Sequence, residues 1–497
     1  MINPRGSRLA CVARHRASLA ALLLIAVAGC NRGTYPTLKT RGPSTLTVGF
    51  GLATGADAGA GIDDTVRSLA LERLVVFSTD GRPQGRLLER WSRSDDGLTL
   101  RLWLRAGTTF HDGQPVTAAV VRDVITAAFP PSSRSDNDVR QIEAHGDREI
   151  EITLNRRSAF VFEGLEITVQ QPGKNSLGTG PFAVVEGPDG QLEARANQNY
   201  YGGGSLIDRI VFRPYGSVRA AWADMLRGEV DMLYEVGQDA LDSLQPSSNV
   251  EIFTYERPYA YVLVPNMQRP AFRDSEFRRA LNASINRMAL VSDVFGGHAT
   301  PADGPVSPNH WAYDPGLPTF KYEPKELFKR ARKPRFTLYF PDASLEHLVL
   351  QVQRQLQAVG VDLDLRLVSL KELGETLKSG DFDLLLADAA LGPTMLRTYR
   401  FWHTGERFNY GGFSSRKVDG ALEAIRTAPD DAAYKTAVAA YQRAIIEDPP
   451  GIFLVWSQRL RAVSSRFDVP AEPGADIFSP VILRLWRPTG AQVARRN

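Results

Sequence analysis

The stretch Leu88–Gly107, LERWSRSDDGLTLRLWLRAG, decides the fold of this 497-residue chain. Its middle, Asp95-Asp96-Gly97, is a turn signal, because aspartate and glycine accept the backbone angles of a tight turn. From Leu98 to Leu104 every second residue is leucine, as in a strand that buries one face. A second turn signal, Asp112-Gly113, comes soon after. The stretch therefore predicts a β-hairpin and its exit.

The hairpin and the segment that follows it, FHDGQPVT at Phe110–Thr117, closely resemble the signature of the family 5 extracellular solute-binding proteins. These are the peptide- and nickel-binding components of bacterial ABC importers. Two further blocks, one between Gly178 and Asp231 and one at Asn266–Arg287, are similar to matching segments of that family. The resemblance implies an α/β, two-lobe periplasmic-binding-protein fold, type II-like, with an extra subdomain inserted in lobe one. It also implies a ligand cleft between the lobes and a binding protein rather than an enzyme.

The domain organisation follows from the length of the chain and from the resemblance. A chain of this length exceeds what one hydrophobic core usually supports, so two or more lobes are expected. The predicted divisions are a signal peptide (1–29), a flexible tether (30–43), lobe one (44–255) with its inserted subdomain at about 73–165, lobe two (256–455), a C-terminal return to lobe one (456–487) and a tail (488–497).

The N-terminal residues predict export. Four arginines and no acidic residue precede the apolar run Leu19–Ala28, which is too short to span a bilayer. The run ends in Val27-Ala28-Gly29-Cys30, which resembles the bacterial lipobox, so Cys30 is the expected lipidation site. The alternative is an ordinary cleavage site that happens to precede a cysteine. We expect a protein of the cell envelope, periplasmic or extracytoplasmic, held to the membrane by its lipid.

Charge and cysteine content exclude other classes. The formal net charge falls from +3 to −1 once the four leader arginines are removed, so the basic balance does not indicate nucleic-acid binding. The two cysteines, Cys11 and Cys30, lie in the leader and at the lipidation site. The exported body therefore has no internal disulfide and depends on its hydrophobic cores.

In lobe two, strand and helix patterns alternate. Strands are predicted at 336–340, 361–367 and 382–387, and the first two are separated by an apolar helical stripe from Leu345 to Val359. This order predicts a parallel sheet with right-handed crossovers. A further helix is predicted from Phe277 to Met288, with Asp274 as its N-cap.

The candidate ligand-binding residues lie in or near lobe two. Peptide-binding members of the family carry an acid, shortly after the strand that matches 382–387, which pairs with the α-ammonium of the ligand. Asp388 lies close to that position, and it is either this acid or simply the end of the strand. Arg397, Arg400 and Trp402 follow, and guanidinium and aromatic groups suit a carboxylate or a sugar better than a cation.

Three more candidates lie where the chain crosses between the lobes. Tyr259 and Tyr261 alternate there, with Asn266 just beyond, and the resemblance places this region at the hinge and cleft. The alternative for the tyrosines is one half-buried strand face. Trp402, expected in the loop after the lobe-two strand, is the leading aromatic candidate.

Other chemical motifs are weak. Ser414-Ser415-Arg416-Lys417 fits the S-x-x-K nucleophile motif, but no S-D-N or K-T-G accompanies it, and the family has the polar start of a helix there. The histidines are scattered, so neither a metal site nor a cofactor is predicted. His111, in the turn after the hairpin, is expected to hold backbone rather than ligand.

Two functions remain open. The first is a lipid-anchored, monomeric solute-binding protein that captures oligopeptides or a related small solute and delivers it to an ABC permease. The second is a surface sensor or chaperone-like lipoprotein that uses the same fold without transport. A neighbouring permease and ATPase would favour the first.

Overall fold

An eleven-stranded sheet forms the centre of the described molecule. The computed structural model describes residues 44–51, 58–129, 138–174, 177–188, 190–325, 333–470, 472 and 474–489. The predicted leader, Cys30 and the tether lie outside these residues. The fold is mixed α/β, as the sequence predicts.

The strands alternate with helices along most of the chain. The strands are β1 (Thr45–Gly51), β2 (Glu72–Arg73), β3 (Val75–Phe77), β4 (Pro83–Gly85), β5 (Leu88–Arg93), β6 (Thr99–Leu104), β7 (Val139–His145), β8 (Glu149–Leu154), β9 (Thr168–Val169), β10 (Phe182–Glu186), β11 (Leu192–Ala196), β12 (Arg209–Tyr215), β13 (Met232–Leu233), β14 (Val250–Pro265), β15 (Ala299–Pro301), β16 (Arg335–Phe340), β17 (Asp362–Leu367), β18 (Leu384–Ala389), β19 (Ile452–Ser464), β20 (Phe467–Asp468) and β21 (Arg487–Pro488). The α-helices are α1 (Ala58–Ala70), α2 (Ala118–Ala128), α3 (Phe160–Glu163), α4 (Val218–Leu226), α5 (Gln238–Leu244), α6 (Pro270–Arg273), α7 (Ser275–Ala283), α8 (Arg287–Asp293), α9 (Glu346–Ala358), α10 (Leu370–Ser379), α11 (Met395–Trp402), α12 (Arg416–Thr427), α13 (Asp431–Glu447) and α14 (Pro480–Leu483). A 3₁₀ turn, Ala343–Leu345, leads into α9.

Two long strands connect the halves of the main sheet. Its order is β10-β11-β12-β1-β13-β19-β14-β18-β16-β17, and β15 pairs with β19 off this path. The strands β14 and β19 run antiparallel at the centre and pair with both halves. We call β1 and β10–β13 with their helices the first lobe, and β15–β18 with theirs the second lobe. The β14–β19 pairing is irregular between Glu256 and Ala260, midway between the lobes.

The opening hairpin is confirmed and belongs to a separate small sheet. The strands β5 and β6 pair antiparallel, and Gly97 at the turn has a φ of 70°, in the left-handed region that glycine accepts readily. This sheet has the order β5-β6-β8-β7 and packs its apolar face on α2. Buried leucines Leu100, Leu102 and Leu104 contribute to that core, as their alternation predicts. We call these four strands and α2 the inserted subdomain.

The second lobe has the predicted parallel pairs. The strand β16 lies parallel to both β17 and β18, and α9 forms the first connection. The N-cap prediction for Asp274 is also confirmed, since the Glu276 N–H donates to its carboxylate at 2.9 Å. The single helix predicted from Phe277 to Met288 is wrong. Two helices, α7 and α8, occupy this region, because Asn286 caps a new start by accepting the Ala289 N–H at 3.0 Å.

The search for membrane-crossing helices covers only the described residues. None of the helices found there is long and apolar enough to cross a bilayer.

Candidate functional site

A cavity of about 290 Å³ lies where the second lobe meets the strands and loops opposite it. Its volume is close to the lower end of the range for small-molecule sites. It is lined by β2, the end of β3 and the loop after it (Arg73, Phe77, Ser78, Thr79), by Glu166, by the middle of β14 (Glu256, Arg257, Pro258, Tyr259), by second-lobe residues (Thr300, Ser307, Pro308, Asn309, Gly392, Pro393, Arg397) and by β19 (Trp456, Ser457, Gln458).

The backbone explains why the centre of β14 is exposed to this cavity. Between Glu256 and Ala260 the regular ladder with β19 is interrupted, so this segment departs from the flat sheet. Such irregularities change the direction of side chains next to functional sites. The interruption therefore turns polar residues of a central strand toward the space between the lobes.

One end of the cavity is positively charged. The Glu166 carboxylate accepts hydrogen bonds from Arg73 at 3.2 Å and from Arg397 at 2.7 Å. Arg397 belongs to α11 of the second lobe, whereas Arg73 belongs to β2 on the opposite wall. Two guanidinium groups thus share one carboxylate, and an ion pair crosses the cavity.

Asp388 does not line the cavity, and it forms an ion pair. The Nη1 of Arg257 donates to its carboxylate at 3.1 Å, and the same guanidinium lies 4.2 Å above the Tyr259 ring. Burial raises the pKa of Asp388, and the charges of Arg257 and Arg459 oppose this. The sequence predicts that Asp388 comes just after the strand. In the structure it lies within β18.

The structure brings two of the predicted ligand-binding residues, Tyr259 and Arg397, to the cavity. Tyr261 points away from it, is 3% exposed and stacks on Phe295. Asn266 is also buried, and its side-chain amide donates to the carbonyls of Gly380 and Phe382. Tyr261 and Asn266 therefore hold β14 to the second lobe.

The other two predicted residues, Arg400 and Trp402, belong to α11 and do not line the cavity. Trp402 lies at the end of this helix rather than in a loop. It is 1% exposed and meets Phe453 edge to face in the core of the second lobe. The structure thus makes Trp402 a core residue, because the apolar face of α11 packs against the sheet.

Sequence reasoning missed Glu256, Asn309 and Trp456. The Glu256 carboxylate accepts a hydrogen bond from the Asn309 amide at 2.5 Å. Trp456 is 5% exposed, and its indole nitrogen has no hydrogen-bond partner among the described residues. The available signal for Glu256 was an acidic residue next to Arg257 in the middle of a long strand.

A second set of contacts joins the flank of the inserted subdomain to the second lobe. Glu163, at the end of α3, accepts the Leu396 N–H at 2.6 Å and the Tyr434 hydroxyl at 3.0 Å. Burial raises the pKa of Glu163 to about 7, and these hydrogen bonds oppose the rise. The Leu396 N–H belongs to the first turn of α11, where the helix leaves donors unpaired.

A buried ion pair lies at the same interface. Asp138, just before β7, and Arg426 of α12 are 1% and 0% exposed, and two guanidinium nitrogens lie 2.7 and 2.8 Å from the carboxylate. Arg156 adds a third contact at 2.7 Å. The inserted subdomain is therefore fixed to the second lobe by charges that are removed from water.

The alternative motifs occupy structural positions. Ser415 precedes α12, the predicted polar helix start, and Lys417 forms an ion pair with Glu447 at 2.7 Å. His111 holds backbone as expected, with its Nε2 3.0 Å from the Gly180 carbonyl. Burial lowers the pKa of His111.

Among the described residues, one group has metal-ligating atoms close together. These are Glu143, His145 and Glu151, on the outer face of the inserted subdomain. Glu151 is already engaged by Arg101 at 2.8 Å, and Glu143 and His145 are exposed. Exposed carboxylates with a lone histidine do not make a closed site, so the sequence prediction of no metal site stays a prediction.

Comparison with known proteins gives consistent matches. Residues 82–408 match the profile described as "Bacterial extracellular solute-binding proteins, family 5 Middle". The chain is 24% identical over 449 residues to the oligopeptide-binding protein AppA of Bacillus subtilis, covering 79% of this chain and 82% of AppA. It is 26% identical over 450 residues to the glutathione-binding protein GsiB of Pectobacterium atrosepticum, covering 82% and 87%.

Solved structures share the fold. NikZ from Campylobacter jejuni, in complex with Ni(L-His), superimposes with a TM-score of 0.73 at 19% identity, over 89% of this chain and 99% of NikZ. The two-lobe α/β architecture predicted from the sequence is confirmed by this likeness.

Proposed function

Because the chain belongs to family 5 of the bacterial extracellular solute-binding proteins, we propose that it is the solute-binding component of an ABC importer. Members of this family bind substrates rather than transform them, and they are periplasmic or extracytoplasmic. In our proposal a lipid on Cys30 anchors the protein, which captures an oligopeptide or a related small solute and delivers it to a permease. The protein acts as a monomer.

The observation that carries this proposal is the cavity, which is lined from both of its sides by charged and aromatic groups. Tyr259 offers a ring and a hydroxyl, and Arg397 offers a guanidinium that suits a carboxylate. Asp388 acts through Arg257, which it holds beside Tyr259. The relatives bind peptides, which carry charges of both signs, and such a lining suits them.

Contacts across the cavity support capture by closure. The Arg397–Glu166 pair joins opposite walls, so it breaks when the two walls move apart. A solute that adds contacts to both walls favours the closed arrangement by its differential affinity for it. Bending between the lobes would occur at the irregular part of β14, which contains Arg257–Tyr259.

The test is the thermal stability of the full chain, purified in detergent, in the presence of di- to pentapeptides, oligosaccharides, nickel chelates and haem. A ligand at a hundred times its Kd stabilises the folded state by about 2.7 kcal/mol, which a melting curve detects. We expect peptides to raise Tm, and Arg397→Met to reduce the rise. Arg335→Met, whose side chain is 66% exposed on β16, is the matched control. No response to any of these compounds would contradict solute capture.

A further inference from the structure

The acid expected to bind a ligand ammonium group is already neutralised. Asp388 is paired with Arg257 at 3.1 Å, and Arg459 adds a second positive charge nearby. Asp388 does not line the cavity. An ammonium group brought to this position would have to displace the Arg257 guanidinium from its ion pair with Asp388.

The charge of Glu166 is also compensated by basic side chains. Glu166 lines the cavity, but Arg73 and Arg397 both bind its carboxylate, so this end carries two positive charges for one negative charge. An ammonium group there would be repelled, whereas a carboxylate would be attracted.

Glu256 differs from Asp388 and Glu166 because it has no basic partner among the described residues. It lines the cavity, and no basic side chain within the described ranges forms an ion pair with it. Its polar partner across the cavity wall is the neutral Asn309 amide, at 2.5 Å. A carboxylate without a basic partner offers its oxygens as acceptors of charge-assisted hydrogen bonds from a bound cation.

Trp456 lies next to Glu256 in the wall of the cavity. Its side chain is 5% exposed and lines the same cavity. The tryptophan lies on β19 opposite Ala260, while Glu256 lies opposite Gln458, so the two groups come from adjoining parts of one strand pair.

We propose that Glu256 binds an ammonium group of the solute at the part of the cavity lined by the middle of β14 and by Trp456. The free N-terminus of a peptide carries such an ammonium group. The positive end formed by Arg73 and Arg397 then faces the solute's carboxylate. This inference rests on the proposed function and moves the cation site from Asp388 to the middle of β14.

The experiment measures binding to the full chain in detergent by calorimetry, with a tripeptide library and the same library N-acetylated. Acetylation removes the ammonium charge and leaves the rest of each peptide unchanged. For the parent protein we expect acetylation to weaken binding at least tenfold. In Glu256→Gln, which keeps an oxygen to accept from Asn309, the free and acetylated libraries should bind equally.

Asp388→Asn is the matched control, since it removes a carboxylate of the alternative site. It should preserve the preference of the parent for free peptides. The inference is overturned if Asp388→Asn abolishes that preference while Glu256→Gln keeps it, or if acetylation has no effect on the parent. Either result leaves solute capture intact. If neither library binds the parent, peptide capture fails and the inference fails with it.

Discussion

The substitution Glu163→Gln tests whether a buried carboxyl at the interface between α3 and the second lobe makes stability depend on pH. Glu163 accepts the Leu396 N–H at 2.6 Å and the Tyr434 hydroxyl at 3.0 Å. Glutamine keeps the shape of the protonated acid and one oxygen acceptor. It therefore imitates the neutral form at every pH.

The size of the effect follows from the pKa of Glu163, which burial raises from 4.5 to about 7. Below about pH 4.5 the Glu163 carboxyl is protonated in both the folded and the unfolded chain. The stabilising contribution of this neutral carboxyl is then fully present. As pH rises, the unfolded chain releases the proton first, and the contribution is lost by the time pH passes about 7. A rise in pKa from 4.5 to about 7 corresponds to about 3 kcal/mol of stability.

The assay is urea unfolding of the full chain in detergent, followed by tryptophan fluorescence, at several values from pH 4.5 to pH 8. The free energy of unfolding of Glu163→Gln, relative to the parent, should rise by up to about 3 kcal/mol across this range. Glu276→Gln, whose side chain is 82% exposed, is the control. Parallel curves for the parent and Glu163→Gln would refute the argument, since the buried carboxyl would then not be the titrating group.

Three further substitutions test the placement of buried side chains by the same unfolding assay. Arg426→Met should cost about 3–5 kcal/mol because it leaves Asp138 buried beside one remaining partner; the double variant with Asp138→Asn should lose less than the sum. Trp402→Ala should lower the free energy of unfolding by about 3–5 kcal/mol and leave the Kd for solute unchanged, whereas a weakened Kd without lost stability would restore it as a ligand residue. Asn266→Ala should cost about 1–3 kcal/mol, because the carbonyl of Gly380 loses its side-chain donor and that of Phe382 keeps only Arg269. An unchanged stability would contradict that role.

Local signals predicted much of the fold. The alternation of leucines in β6 and the Gly97 turn specify a hairpin without help from distant residues. Asp274 caps α7 because a short side chain at a helix start reaches the next free N–H. The break after Ala283 was also local, since Asn286 is itself a good capping residue, but the apolar spacing that continues to Met288 concealed it.

The site was harder to predict because its chemistry depends on pairings between distant residues. Asp388 has the right residue type for a cation, and only the contact with Arg257, 131 positions away, shows that it is occupied. Trp402 was expected in a loop, and its burial depends on the way α11 packs against β19. Glu256 stands out only once every other acid around the cavity has its partner.

The strands β14 and β19 also limit how proteins of this kind exchange parts. Their ladder extends from Val250 opposite Ser464 to Leu263 opposite Ile452, and each strand serves both lobes. A chimaera that joins the first lobe of one relative to the second lobe of another must cut both strands. Side chains from different parents would then face each other across the cut, next to the cavity. Recombination between homologous genes should therefore keep residues 250–265 and 452–464 from one parent, and new solute preferences should arise by point replacement along this strand pair.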